Sequence, residues 1–248
     1  MQMAADTPIH LIFHELGVEP RPYAYYVPIP RFAEYLGEAQ APGSRTAEAC
    51  FTFDDGHDSN RTYALPMLAG AGVKAKFFLV AGWIESRLHF MNWAGVRELV
   101  AQGHEVGSHG WSHALLTQCG EVELRDELVR SKQTIEQRIG QRIDAISVPS
   151  GRWNRRVLRA VRNAGYVRMY TSDPFFSRSN AQLVVRGRIN VTQNMSSADL
   201  GRILKKDFSV VARMRARHAA KAGLRRMLGE ATYHRLWATV AGYSDDDA

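Results

Sequence analysis

Four residues of this chain have the types and spacing to hold a metal and move a proton. Asp54 and Asp55 stand side by side in "FTFDDG", and His109 and His113 stand four apart in "SHGWSH". Adjacent carboxylates repel, and both stay ionised cheaply only beside a cation. Imidazoles four residues apart can be aimed at one point by a helical turn or a tight loop. Two histidines and one carboxylate, with an open position for water, are the recurring ligand set of a catalytic zinc site. One aspartate would complete that set and the other would be left as a base. Each motif also has a plainer reading: a turn opened by an aspartate, and a pair of surface or capping histidines. What separates the readings is whether both motifs sit on consecutive strand ends of one fold.

The elements around them alternate. "IHLIFHEL" reads as a first buried strand ending near His14, and "ACFTF" as a second that ends on Asp54. After the helical pattern "SNRTYALPMLAGAG" come strand "KAKFFLVAG", helix "NWAGVRELVAQG" and strand "HEVGSH". Next come the long helix "EVELRDELVRSKQTIEQRIG", strand "DAISVPSG", helix "NRRVLRAVRNAG" and strand "YVRMYTS". Strands and helices in this order imply right-handed crossovers and a mostly parallel sheet. The helices end on "AGAG", "AQG", "RIG" and "NAG", with glycine where a left-handed cap is wanted. No Gly-rich nucleotide turn follows the first strand, so a (β/α) barrel is favoured over a dinucleotide fold, and reactive groups belong at C-terminal strand ends. Regular alternation fades near residue 195. Residues 1–196 are therefore read as a catalytic barrel, and residues 197–248 as a basic helical extension opened by a Ser197 cap.

Composition sets outer limits. With 248 residues, 45% of them hydrophobic, the chain can bury a sizeable core and is not a disordered sequence. Cys50 and Cys119 make no disulfide framework and no cysteine zinc cluster, and read as small buried hydrophobes. "MQMAADTPIHLIFHELG" has no basic leader region, and no run reaches the roughly 18 apolar residues of a spanning helix, so a cytoplasmic placement is expected. The net charge of +7 is concentrated: Arg202 to Arg226 holds nine basic residues and one acid, and Arg152 to Arg168 holds six arginines and no acid. No nucleic-acid recognition motif accompanies the charge, and no nucleic-acid partner is expected.

"TFDDG" followed by "SHGWSH" resembles the first two motifs of the NodB-type polysaccharide deacetylases, carbohydrate esterase family four, over roughly residues 9 to 195. The resemblance implies a deformed (β/α) barrel and a divalent metal, usually zinc. It also implies removal of N-acetyl or O-acetyl groups from a carbohydrate. By the same resemblance Asp54 is the general base, and Asp55, His109 and His113 are the metal ligands. "SVPSG" stands at the family's third motif, where the backbone N–H of Ser150 would help bind an oxyanion. Two departures follow. In the third motif Ser147 stands where the family has the arginine that holds the base and Ser150 where it has an aromatic residue, and the family's late histidine motif is missing, since "LVVRGRINV" offers only Arg186 and Arg188. A branch of the family acting on exopolysaccharides has a strand ending in "YH" or "FH" whose histidine is the general acid, and "LIFHELG" resembles it, which implies that role for His14.

Trp83, Trp111 and Trp153 fall at or after strand ends, where a ring could stack on a sugar or simply pack. Asp173 and His57 are further candidates for substrate contact, beside plainer roles at a turn and a helix entry. The Arg202–Arg226 segment, interleaved with apolar residues, suits contact with an anionic membrane surface. The expected setting is surface-glycan or exopolysaccharide biosynthesis, with a lipid-linked or nucleotide-linked sugar. A catalytically impaired glycan-binding or assembly protein is the alternative, motivated by the altered third motif and the missing late histidine.

Overall fold

The computed structural model describes residues 8–19, 21–40, 49–174, 176–179, 182–229, 232, 233 and 236. The acidic run "SDDDA" lies outside the described residues. Seven parallel strands close into a barrel: β1 (Ile9–Phe13), β4 (Ala49–Phe53), β5 (Lys76–Leu79), β6 (Glu105–Ser108), β7 (Ala145–Ser147), β8 (Arg168–Thr171) and β10 (Val184–Asn190). Closure comes from β10 pairing with β1, with His10 opposite Arg188. A short pair, β2 (Glu15–Gly17) and β3 (Tyr26–Pro28), leads from β1 into helix α1 (Ile29–Gln40), and β9 (Ser177–Ser179) lies antiparallel on β10.

The sequence explains where the helices start and stop. α3 (Trp93–Ala101) and α5 (Arg155–Asn163) are opened by Asn92 and Asn154, whose side chains accept backbone N–H bonds from Gly95 and Val157. The glycines expected to end helices, Gly72, Gly103, Gly140 and Gly165, all have left-handed backbone, Gly140 closing α4 (Glu121–Ile139). The segment expected as one helix after Asp55 is divided. Residues Asn60–Ala64 form a wide turn, and α2 (Leu65–Gly70) follows, because Pro66 has no N–H for a regular ladder.

Strand alternation gives the barrel two unlike faces. Outward, Phe13 stacks on Phe51 and Phe53, Phe53 stacks on Phe77 at 4.8 Å, and Phe32 of α1 meets this group edge-on. This layer, covered by helices, is the main core. Inward, Phe78, Ala145 and Tyr170 form a small separate cluster, and the Arg188 guanidinium lies over the Phe78 and Tyr170 rings at 5.2 and 5.8 Å. Below them Lys76 and Arg168 bind Glu105, and Arg168 also binds Asp144.

The C-terminal part adds α6 (Ser197–Leu204) and α7 (Phe208–Leu228). The α6 cap is Ser196, whose hydroxyl accepts from the Asp199 N–H, one residue before the expected Ser197. Leu200, Ile203 and Leu204 enter the main core, and Tyr35 of α1 donates to the Met195 carbonyl at 2.6 Å. Among the described residues no helix is long and apolar enough to cross a membrane. Cys119 is buried and Cys50 half-buried; burial pushes both thiols up, Cys50 to about 11, which suits small packing groups.

Candidate active site

Strand register assembles the site. Phe13 pairs with Phe53, and the ladder continues one step with Asp54 N–H donating to the Phe13 carbonyl at 2.9 Å. His14 therefore lies beside Asp54 at the C-terminal end of the barrel. His109 follows β6 in the same way, its N–H donating to Leu79 O at 2.7 Å. Consecutive residues on a strand face opposite ways, which would send one aspartate out of the site. The left-handed backbone of Asp55 (φ 72°) breaks the alternation, a conformation aspartate tolerates better than most residues. Both carboxylates then face His109: its Nε2 lies 3.7 Å from Asp54 Oδ2 and 3.3 Å from Asp55 Oδ1. His113, also left-handed (φ 66°), brings its Nε2 to 3.6 Å from the same Asp55 oxygen.

The residues present fit a divalent metal. One ligand atom each from Asp55, His109 and His113 lie within 4.8 Å of one another. Asp55 Oδ1 is buried and accepts no hydrogen bond, an arrangement a cation at that point would relieve. His109 donates from Nδ1 to the Ser147 carbonyl at 2.8 Å, which fixes its tautomer and leaves the Nε2 lone pair toward Asp55. Burial alone would raise the Asp55 carboxyl, but the surrounding His109, His113 and His14 imidazoles hold it below the ordinary range. Burial lowers His113 to about 4 and so keeps it neutral, the form that ligates. For His109 burial is outweighed by Asp54 and Asp55, which raise it.

Asp54 is held differently, and sequence reasoning missed how. Arg188, 1% exposed, reaches up the barrel interior from β10 and grips Asp54 with two bonds of 2.7 Å, one to each oxygen. Ser147 donates to Asp54 Oδ2 at 3.0 Å and accepts from Arg188 Nη2; Thr52 accepts from Nη1 at 2.9 Å. The arginine missing from the third motif is thus replaced from another strand, and the small Ser147 leaves the room it needs. Burial by itself would raise the Asp54 carboxyl; Arg188, followed by His109, holds it below the ordinary range and ionised. The available signal was "VVRGRIN", two arginines at strand spacing around a glycine. A β-carbon on Gly187 would fall 1.8 Å from the Asp173 carbonyl, so glycine is required there.

A second missed residue is Glu127 of α4. Its buried carboxylate accepts the Trp111 N–H at 2.8 Å, the Ser112 N–H at 3.1 Å and the Ser112 hydroxyl at 2.6 Å. It holds the loop that carries His109 and His113. A β-carbon on Gly110 (φ 85°) would sit 2.9 Å from this carboxylate, so only glycine fits beside it.

The remaining candidates fall around the rim. His14 is half-buried, stacks obliquely on Tyr25 at 4.9 Å, and has a buried, unpartnered Nδ1. Burial pulls its pKa down, and the nearby Asp55 and Asp54 pull it back up. Ser150 is exposed and left-handed (φ 55°) just above Ser147. Trp83 lies 5.3 Å from the His113 ring, with Arg87 over its other neighbourhood at 4.5 Å, while Trp111 is covered by Arg130 at 3.6 Å. Trp153 donates from its indole to Asp173 at 3.2 Å, so these two form one rim contact. His57 bonds Ser59, which also accepts the Leu16 N–H, so its place is at the helix entry. The Arg152–Arg168 run does not converge on one anion. Arg156 binds Glu121 and two carbonyls, Arg168 binds Glu105 and Asp144, and Arg152 lies over Tyr233.

Comparisons with known proteins bear on the family and the fold. The chain is 28% identical over 159 residues to a putative polysaccharide deacetylase, YxkH, of Bacillus subtilis, covering 63% of this chain and 57% of that protein. It is 30% identical over 144 residues to a chitooligosaccharide deacetylase of Sinorhizobium fredii, covering 57% and 65%. The matches thus span about six-tenths of those relatives' own length. Among solved structures, the fold resembles the Streptococcus pyogenes deacetylase PplD with a TM-score of 0.68 at 21% identity, over 78% of this chain and 96% of that one. It also resembles IcaB of Ammonifex degensii with a TM-score of 0.66 at 19% identity, over 81% and 98%. The family profile described as Polysaccharide deacetylase matches residues 43–169, half of the chain and the part that carries both aspartates and both histidines; the chain belongs to that family.

Proposed function

We propose that the protein is a metal-dependent carbohydrate deacetylase that hydrolyses an N-acetyl or O-acetyl group on a sugar of a surface-glycan or exopolysaccharide pathway. The observation that carries this reading is the pairing of two unlike carboxylates at one point. Asp54 is clamped by an arginine and kept ionised, and Asp55 is left with a bare oxygen between two imidazoles. Asp55, His109 and His113 would hold the metal, most suitably zinc for this donor set. A zinc ion held there would supply a Lewis acid for the acetyl carbonyl and would lower the pKa of water enough for attack near neutral pH.

The chain's own residues do the rest. Asp54, ionised by Arg188, takes a proton from the attacking water. Arg188 and Ser147 occupy its other lone pairs and so fix the direction of the free one. The Ser150 N–H would donate to the oxygen that becomes negative as water adds to the carbonyl carbon. As the carbon–nitrogen bond of an amide breaks, the amine must receive a proton, and in this reading His14 gives it. The products are acetate and the free amine. Burial outweighs the Asp55 and Asp54 carboxylates and lowers the His14 pKa, so the ring rests neutral and must take up a proton before it can give one to the amine.

The impaired-scaffold alternative rested on the altered third motif and on the missing late histidine; Arg188 answers the first, and the second rests on His14. Acetate release from N-acetylated oligosaccharides and lipid-linked or nucleotide-linked sugars tests the reading, comparing wild type with Asp54→Asn before and after chelation and zinc return. Release from at least one substrate that requires zinc and falls by about 10²–10⁴-fold in the variant is expected. No metal-dependent release from any of them would overturn it. His14→Ala with undiminished turnover would remove His14 from the mechanism. A cytoplasmic location remains part of the proposal, checked by cell fractionation of the full gene product.

A further inference from the structure

The C-terminal helix α7 has one face the fold uses and one it does not. On the used side, Val210 and Val211 are buried, and His218 reaches Asp173 at 2.9 Å, the aspartate that also accepts from Trp153. Tyr233, beyond the helix, is buried with Arg152 and Arg225 against its ring. These contacts fasten α7 to the rim at the C-terminal ends of β7 and β8, the end where Asp54 and His109 lie.

The outward side is apolar along its centre and basic along both edges. At 100° per residue, Phe208, Ala212, Ala216, Ala219, Gly223 and Met227 fall within about a third of the circumference. All six are exposed, Phe208 by 85% and Met227 by 84%. Arg215 and Arg226 stand at the Phe208 edge of this stripe, Arg213 lies about 40° beyond Met227, and Arg217 about 80° beyond it. None of the four forms a salt bridge among the described residues; Arg202 pairs with Asp207 just before the helix, and His218 with Asp173 on the used side.

We propose that this face of α7 docks on an anionic lipid bilayer and holds the mouth of the barrel at the membrane surface. An apolar centre flanked by long cationic side chains is what an interfacial helix needs. Its small and aromatic residues enter the acyl boundary, and the arginines reach outward to acidic headgroups. A second copy of the chain fits poorly, because two such faces would bring arginine edges against arginine edges. Nucleic acid would leave the central stripe without a partner. The docking itself does not depend on the deacetylase reading. Its consequence for substrate does, since a sugar on a lipid carrier would then be presented at the rim where α7 is fastened.

The test is flotation of the full chain with vesicles of phosphatidylcholine alone and of phosphatidylcholine mixed with phosphatidylglycerol. Wild type is expected to float with the anionic vesicles and not with the neutral ones. Arg213→Gln, Arg217→Gln and Arg226→Gln together should weaken partition by about a hundredfold, about fivefold per arginine. Phe208→Ser with Met227→Ser should weaken it by about tenfold or more with every charge retained. Absence of binding by wild type, or binding that survives both variants, overturns the proposal. So does a dimer in sedimentation equilibrium, or a duplex DNA complex, that these substitutions abolish while vesicles go unbound. Acetate release from a soluble oligosaccharide, read in the same preparations, should be the same in wild type and both variants. Vesicle binding without any acetate release would overturn the deacetylase reading and leave the docking standing.

Discussion

The two faces of the barrel wall are built from the same strands and work in opposite ways. Outside, Phe13, Phe51, Phe53 and Phe77 stack into a continuous apolar layer under helices. Inside, the same strands carry His10, Thr52, Asp54, Ser147 and Arg188, all of them buried. The outer layer gains from every methylene removed from water. The inner column gains only while each charge keeps its partner, because an isolated ion in that space is costly. Stability and chemistry are thereby separated by the period-2 alternation of a strand: the outer layer holds the barrel closed, and the inner one sets the protonation state of Asp54.

The largest effect should come from breaking the inner column. Arg188→Met leaves Asp54 buried without its cation, and a buried pair broken on one side costs about 3–5 kcal/mol. Denaturant unfolding should show that loss, and acetate release should fall with it. Adding Ser147→Arg returns an arginine from β7, across the barrel interior, and should recover part of both. An Arg188→Met protein within about 1 kcal/mol of wild type would mean the clamp does not hold the inner column together.

The outer layer should fail in another manner. Phe32→Ala opens a cavity beneath Phe13, Phe51 and Phe53 and should cost about 3 kcal/mol or more. Zinc content and turnover per folded molecule should stay near wild type, since no inner residue loses a partner. A variant that is stable but loses zinc would erase the distinction between the faces.

These contrasts also show what could be read before any coordinates. The outer face was legible because Phe51 and Phe53 alternate within "ACFTF", and the helix stops because glycine marks them. Asp54, Asp55, His109 and His113 were legible because their chemistry is local to two short motifs. Arg188 was not, because β10 does not look like a buried strand: "VVRGRIN" puts two arginines and a glycine where apolar residues are expected. Only closure of the barrel, with Arg188 opposite His10, makes those arginines interior. Glu127 was hidden for a similar reason. On a helix rich in charge, one glutamate whose backbone N–H partners lie 15 and 16 residues away carries no local mark.

The inner column should also be the more acid-sensitive of the two. His10 sits within it; burial first, then the Arg188, Lys76, Arg186 and Arg168 charges, lower its pKa from 6.5 to about 3. The unfolded chain takes up that proton near pH 6.5 and the folded one does not, so stability is present above pH 6.5 and falls as the pH drops toward about 3. The loss should approach about 1.4 kcal/mol per pH unit within that window. His10→Leu, which also removes a buried nitrogen without a partner, should flatten this part of the pH–stability curve. An unchanged slope would place the acid sensitivity elsewhere.

The smallest effect on stability should come from Glu127, yet it separates holding the site from holding the fold. Glu127→Gln keeps the shape but turns one acceptor oxygen into an NH₂ group that faces N–H donors. One bond to the Trp111–Ser112 backbone is lost, at about 1–3 kcal/mol. The loop it holds carries both imidazoles, and His113 depends on a left-handed backbone that the loop must maintain. Zinc affinity should therefore fall by about 10–100-fold, the range seen when a group that orients metal ligands is removed. Competition with a chelator reads this directly and needs no substrate. Phe32→Ala, with the larger stability loss, should leave zinc affinity nearly unchanged. If the two variants instead lost zinc in proportion to stability, Glu127 would be one more packing residue, and the loop's geometry would owe nothing to it.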